Sequence, residues 1–78
     1  MKIFKLITLF NLSYDLFKYD LGKNQDNKII LSIKAYYSAF KWIVSKNELC
    51  FNKSPLDMWK QNQSDDLILF LKGKMGYE

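Results

Sequence analysis

The polar positions in the first eighteen residues recur at steps of three and four: Lys2, Lys5, Thr8, Asn11, Asp15 and Lys18. On a helix that spacing lines them along one stripe and leaves the rest of the cylinder apolar. Ile3, Ile7, Phe10, Tyr14, Phe17 and Leu21 form one apolar row, and Leu6, Leu9, Leu12 and Leu16 widen it. The pattern predicts a helix over 2–21 with a broad buried face, and Gly22 supplies its stop. A strand over 3–10, with Ser13 capping a shorter helix, is the alternative. The apolar pairs Ile3-Phe4 and Leu6-Ile7 break the alternation that a strand needs.

A polar turn, GKNQDN at 22–27, follows, and its Asp26 and Asn27 are good N-caps. From 28 to 46 the helical period returns. Ile29, Ile33, Tyr36, Phe40 and Ile43 share one face, with Ile30, Tyr37 and Val44 beside them. Lys34, Ser38, Lys41 and Ser45 make the opposite polar stripe, and Leu31, Ala35, Ala39 and Trp42 run between the two. A helix apolar over so much of its circumference is expected at the centre of the domain, with Ala35 and Ala39 small enough for a neighbour to come close.

Residues 47–53, NELCFNK, read as a connector whose Leu49, Cys50 and Phe51 tuck inward. Ser54-Pro55-Leu56-Asp57 then combines a capping serine, a proline at the first helical position and an acid three residues after the cap. That signature predicts a short helix over 54–62, broken at 61–64. A last helix over 65–74 has Asp65 and Asp66 at its positive end and Lys72 and Lys74 near its negative end. It carries Leu67, Ile68, Phe70 and Leu71, and Gly73 and Gly76 let its end fray. The expected fold is all-α, a single compact domain spanning 1–78, built as a small bundle of three to four helices.

A core at this length supplies only on the order of 3 to 5 kcal/mol unless something reinforces it. Disulfides are excluded, because Cys50 is the only cysteine, and a metal site is not expected from a chain with no histidine and no second thiolate. Dense packing and self-association remain. With 17% aromatic residues in so short a chain, some rings are expected at the surface, where they become anchors for a partner.

The net charge of +4 changes the picture little. Every basic residue is lysine, and Phe, Ile, Lys, Asn and Tyr, all with AT-rich codons, account for 36 of the 78 residues, so codon bias explains the lysines as well as function does. Residues 1–39 hold six lysines against three acids and 40–78 hold six against five, which leaves no basic tail. The lone thiol fits a reducing compartment, and a cytoplasmic location is expected. Lys2 and Lys5 ahead of an apolar stretch resemble a secretory leader only superficially, since no small-x-small cleavage site follows. No apolar run is long enough for a membrane span, and the first helix is assigned to the core rather than to a membrane surface.

Catalysis has little to work with. Histidine is absent, so neither a thiolate dyad at Cys50 nor a general base of the usual kind can be assembled. Cys50, between Leu49 and Phe51, reads as a small core residue. Asp65 and Asp66 are neighbours in sequence, so on a helix their side chains diverge by about 100° and do not pair. Three scattered glycines make no phosphate loop. No enzyme activity and no cofactor are expected.

Binding is what remains. Lys34, Lys41 and Lys46 lie on or beside one face of the second helix with Trp42 adjoining, a pattern that suits phosphates and an unpaired base. The missing arginine removes the commonest bidentate base contact, and a solvated lysine stripe accounts for the same residues. Protein binding asks only for a rigid scaffold and exposed rings, and Trp42 and Trp59, the latter beside Met58 and Lys60, are the candidate anchors if either is exposed. The expected function is a small protein-binding module. Short chains with AT-rich coding and no catalytic set are common among phage and mobile-element proteins, including inhibitors of the anti-CRISPR kind, and no motif adds to that profile. The expected partner is a larger host protein or nucleoprotein, with self-association as a further possibility. The alternative is a lysine-rich nucleic-acid-binding or regulatory protein.

Overall fold

The computed structural model describes residues 2–24 and 26–76, with the side chains of Leu49 and Met75 set aside. Among them are four α-helices: α1 (Lys2–Leu21), α2 (Lys28–Val44), α3 (Pro55–Lys60) and α4 (Asp65–Met75), with a 3-10 turn at Glu48–Cys50. The all-α bundle is as the periodicity predicts, and residues 3–10 are helix throughout.

The helix ends follow local chemistry. Asn27 Oδ1 accepts hydrogen bonds from the amides of Ile29 (3.0 Å) and Ile30 (3.1 Å), which starts α2. Ser54 and Asp57 form the reciprocal capping box that the sequence announced: the Asp57 amide donates to Ser54 Oγ at 3.1 Å, and the Ser54 amide to Asp57 Oδ2 at 3.4 Å.

Two predicted ends were too long. The expected 28–46 helix stops at Val44, because Ser45 turns extended while its hydroxyl donates to the Lys41 carbonyl, a local bond that competes with the next turn. The expected 54–62 helix stops at Lys60. Asn62 takes a left-handed conformation, φ 58°, its amide bonds to the Trp59 carbonyl and the Gln63 amide reaches the Met58 carbonyl at 2.7 Å. That is the Schellman arrangement, with asparagine in the place glycine usually holds. The expected 65–74 helix runs one residue further, through Gly73, and is closed by Gly76 at φ 78°.

The centre of the bundle is α1, which packs against α2, α3 and α4. This corrects the expectation that the 28–46 helix would be central. The faces are corrected in part: Leu9, Leu12 and Leu16 turn inward as expected, and so does Ile43. On α1 the buried residues are Leu9, Leu12 and Ser13, with Leu16 packed beside them, whereas Ile3 and Ile7 are exposed. On α2 the buried row is Leu31, Ala35, Ala39 and Ile43, one residue every turn, and both alanines are wholly inaccessible. Small side chains let two helices approach closely. Ile29, Ile33, Tyr36 and Phe40 lie on the other side of α2 and are exposed.

Leu9 and Leu12 meet Cys50, Met58 of α3, and Leu67 and Leu71 of α4 in one cluster, with Leu16, Trp42, Trp59 and Ile68 packed around it. Ser13 is buried among them at no polar cost, its hydroxyl donating to the carbonyls of Leu9 and Phe10, both at 2.9 Å. The N-terminus of α1 is tied to the C-terminal end of α3. Trp59 Nε1 donates to the Lys2 carbonyl at 2.6 Å, and Lys2 Nζ donates to the Lys60 carbonyl at 2.8 Å.

Candidate protein-docking surface

No aromatic ring among the described residues is buried: Phe10, Tyr14, Phe17, Trp42 and Trp59 are half-buried, and the other seven are exposed. The described buried residues are leucine, alanine, isoleucine, methionine, one cysteine, Pro55 and the three serines Ser13, Ser54 and Ser64. Most of the exposed rings fall in two groups.

The larger group covers the outer side of the α1–α2 hairpin. Ile29, Ile33, Tyr36, Phe40 and Val44 follow helical steps of four, three, four and four along α2, and Tyr37 stands beside them. Ile29 is 74% exposed, Ile33 65% and Phe40 56%. Tyr36 closes the stripe onto α1: its ring meets Phe10 edge-on at 5.0 Å between centroids, and Tyr14 at 6.4 Å. Edge-to-face contacts of this kind hold rings in register. Between the helices lies a shallow apolar groove of ≈ 610 Å³ whose walls include Tyr14, Ile33, Tyr37 and Phe40. On α1 the same outer side carries Ile3 and Ile7, which continue the row of Phe10 and Tyr14 toward the N-terminus. No charged residue lies within this stripe. Lysines border it instead, with Lys41 Nζ 5.5 Å from the Tyr37 ring and Lys18 Nζ 5.7 Å from the Tyr14 ring.

The smaller group lies at the other end of the chain. The 47–53 connector folds back on itself through an antiparallel bridge between Asn47 and Lys53. Phe51 and Asn52 both have positive φ, 55° and 63°, to make that reversal. Cys50 of this loop reaches the core, and Phe51 is turned outward to 82% exposure, against the expectation that it would tuck in. The expected inward position of Leu49 falls outside the described side chains. Phe51 and Phe70 line one small groove with Asp66, and Leu69 stands exposed on α4 nearby. Asp65 and Asp66 rim the adjoining hollow, and Asp65 pairs with Lys5 at 2.9 Å.

The residues singled out in the sequence sit around these groups, without forming one site. Lys34, Lys41 and Lys46 are exposed. Trp42, expected beside them as a stacking ring, is half-buried against the core and borders a small cavity with Leu16, Phe17 and Leu71. Trp59 also packs on the core, with Lys2 Nζ 5.1 Å from its ring as well as its own bond to the Lys2 carbonyl. The carbonyl of Lys60 is engaged by Lys2. Both tryptophans thus have partners inside the domain, and the exposed rings among the described residues are Phe4, Tyr19, Tyr36, Tyr37, Phe40, Phe51 and Phe70. A sequence signal for this existed. Ala35 and Ala39, one turn apart, mark the side of α2 that a neighbour approaches, so the bulky residues across the helix must face away.

Cys50 is fully buried, and desolvation pushes its thiol above the ordinary range, toward the protonated and unreactive form. In the folded chain a disulfide-exchange reagent is expected to modify it at least about 100-fold more slowly than in denaturant. Equal rates in the two conditions would place the thiol at the surface. Among the described residues, no cluster of cysteine, aspartate and glutamate is placed to hold a metal ion, and no helix is long and apolar enough to cross a membrane.

Comparison with known protein families, with curated proteins and with solved structures finds no match for this chain.

Proposed function

We propose that this chain is a non-enzymatic protein-binding module that docks on a larger protein through its exposed rings. The observation that carries this reading is the inversion of its aromatic residues: a domain short of core material leaves every described ring unburied. Exposed apolar patches beyond a few hundred Å² mark interaction sites on soluble domains, and aromatic residues rimmed by polar groups are the usual anchors. Phe51 fits that role most closely. Its backbone is held in a left-handed conformation within a closed loop, so little backbone entropy is lost when the ring enters a pocket. Asp66 beside it, and Lys34 and Lys41 along α2, supply charges of opposite sign at the two groups for orienting a partner. The finer reading is an inhibitor that covers a working surface of a larger host protein or nucleoprotein. It rests on small size, AT-rich composition and the lack of a catalytic set.

Affinity capture of the tagged chain from its native host, with mass spectrometry, tests the reading. One stoichiometric larger protein is expected, retained after nuclease treatment and weakened about 10- to 100-fold by Phe51→Ala. Affinity for bare RNA or DNA that falls steeply with salt, with no such protein, overturns the proposal in favour of direct nucleic-acid binding.

A further inference from the structure

We infer that the outer face of the α1–α2 hairpin is a dimer interface, occupied by the same face of a second copy of this chain. The inference rests on reading the exposed apolar surface as protein-binding, and names the occupant of its larger part; Phe51 and its neighbours stay free for a different partner.

Area is the first argument. Ile3 and Ile7 on α1, with Ile29, Ile33, Tyr36, Tyr37, Phe40 and Val44 on α2, are between 44% and 74% exposed. With an aromatic side chain offering about 200 Å² and an aliphatic one somewhat less, they leave on the order of 700–900 Å² of apolar surface in water. The largest apolar patch on an ordinary monomer is roughly 300–600 Å². A standard protein interface takes about 800 Å² from each partner, which is what this face offers.

Shape and composition identify the occupant. Two helices side by side, with an uncharged apolar stripe running along both, make one half of a four-helix bundle, and a second identical half completes it. A two-fold axis allows this without any further complementary surface, because the patch is its own partner. The lysines stand at the border and can remain in solvent, Lys41 already folded back over the Tyr37 ring. Reinforcement is the third argument. The chain is 78 residues long with no disulfide, and the buried hydrophobic set among its described residues contains no aromatic ring. A chain of this length gains stability from association that its own core does not supply.

Sedimentation equilibrium on the 78-residue chain is the test. The wild type is expected at twice 9.3 kDa. The double variant Ile33→Glu/Phe40→Glu, at two exposed positions one heptad apart, is expected to associate at least about 100-fold more weakly, with its helix content by circular dichroism unchanged. Leu69→Glu, on an exposed residue of α4 outside the face, is expected to leave the dimer intact. If the double variant loses its helices, the wild-type melting temperature decides: a rise over about a hundredfold increase in protein concentration supports the dimer, and a constant value overturns it. A wild type that remains monomeric at roughly 100 μM overturns it. So does a double variant that dimerises as tightly as the wild type. A monomer that binds vesicles of phosphatidylserine and phosphatidylcholine through Ile33 and Phe40 overturns it in favour of a lipid surface. These measurements use purified chain alone, so their failure leaves the captured partner, and with it the protein-binding reading, standing.

Discussion

Leu9→Ala is expected to leave the chain largely unfolded at room temperature. Leu9 is wholly inaccessible, sits on the helix that touches the other three, and belongs to the cluster with Cys50, Met58, Leu67 and Leu71. Truncating a buried leucine removes its transfer free energy and leaves a cavity, together about 2–5 kcal/mol. A domain of this size holds only about 3–5 kcal/mol in total, so the loss is of the same order as the whole stability. Urea titration followed by circular dichroism, at one fixed protein concentration, is the check. The variant should show no folded baseline, or a midpoint shifted by most of its wild-type value. Ile3→Ala serves as the contrast. Ile3 lies in the row that the sequence pattern placed in the core, yet it is 44% exposed, and a change of less than about 1 kcal/mol is expected there at concentrations below any association. If the two variants lost equal stability, the buried row of α1 would have been assigned to the wrong side.

That contrast shows where the sequence was legible and where it was not. Local signals were read correctly because their physics is local. The Asn27 cap and the Ser54–Asp57 box each depend on residues within one helical turn. Which face of an amphipathic helix turns inward depends on the neighbour. On α1 and α2 nearly the whole circumference is apolar, so period alone offers two buried faces. On α1 packing took the leucine side of the expected broad face, Leu9, Leu12 and Leu16 with Ser13, and left Ile3 and Ile7 out; on α2 it took Leu31, Ala35 and Ala39 together with Ile43, the one member of the apolar row that is buried. Apolar residues left outside such a choice stay at the surface, as Tyr36, Tyr37 and Phe40 do on α2.

The tryptophans show the same limit from the other side. They were candidate anchors because tryptophan dominates interfaces, yet Trp59 is held by the Lys2 carbonyl and Trp42 by the core side chains around it. Nothing in the order of residues says that a lysine 57 positions away supplies the partner for an indole N–H. Phe51 was misplaced for a different reason. Its neighbours Leu49 and Cys50 made an apolar triplet look inward, and the left-handed pair Phe51-Asn52 is a feature of the closed loop rather than of composition.

The alanine row makes the second large prediction. Ala39→Leu is expected to destabilise the chain by about 1–3 kcal/mol and to loosen α2 from α1, even though it adds apolar surface to a domain short of it. Ala39 and Ala35 have no accessible surface, and they lie on the inward side of a helix whose opposite side carries Tyr37 and Phe40. Three additional carbon atoms at 39 have no empty volume to enter, so the hairpin must open or the side chain must leave its preferred rotamer. Tyr36, whose ring meets Phe10 and Tyr14 across the hairpin, reports on the opening. A denaturant midpoint lowered together with a weakened near-ultraviolet aromatic signal is the expected outcome. The same change at Tyr37, 63% exposed, is expected to leave monomer stability within about 0.5 kcal/mol. An Ala39→Leu chain that proved more stable than the wild type would mean that α1 and α2 are not in close contact. The bulky face would then be the buried one, and both the docking surface and the dimer built on it would have to be given up.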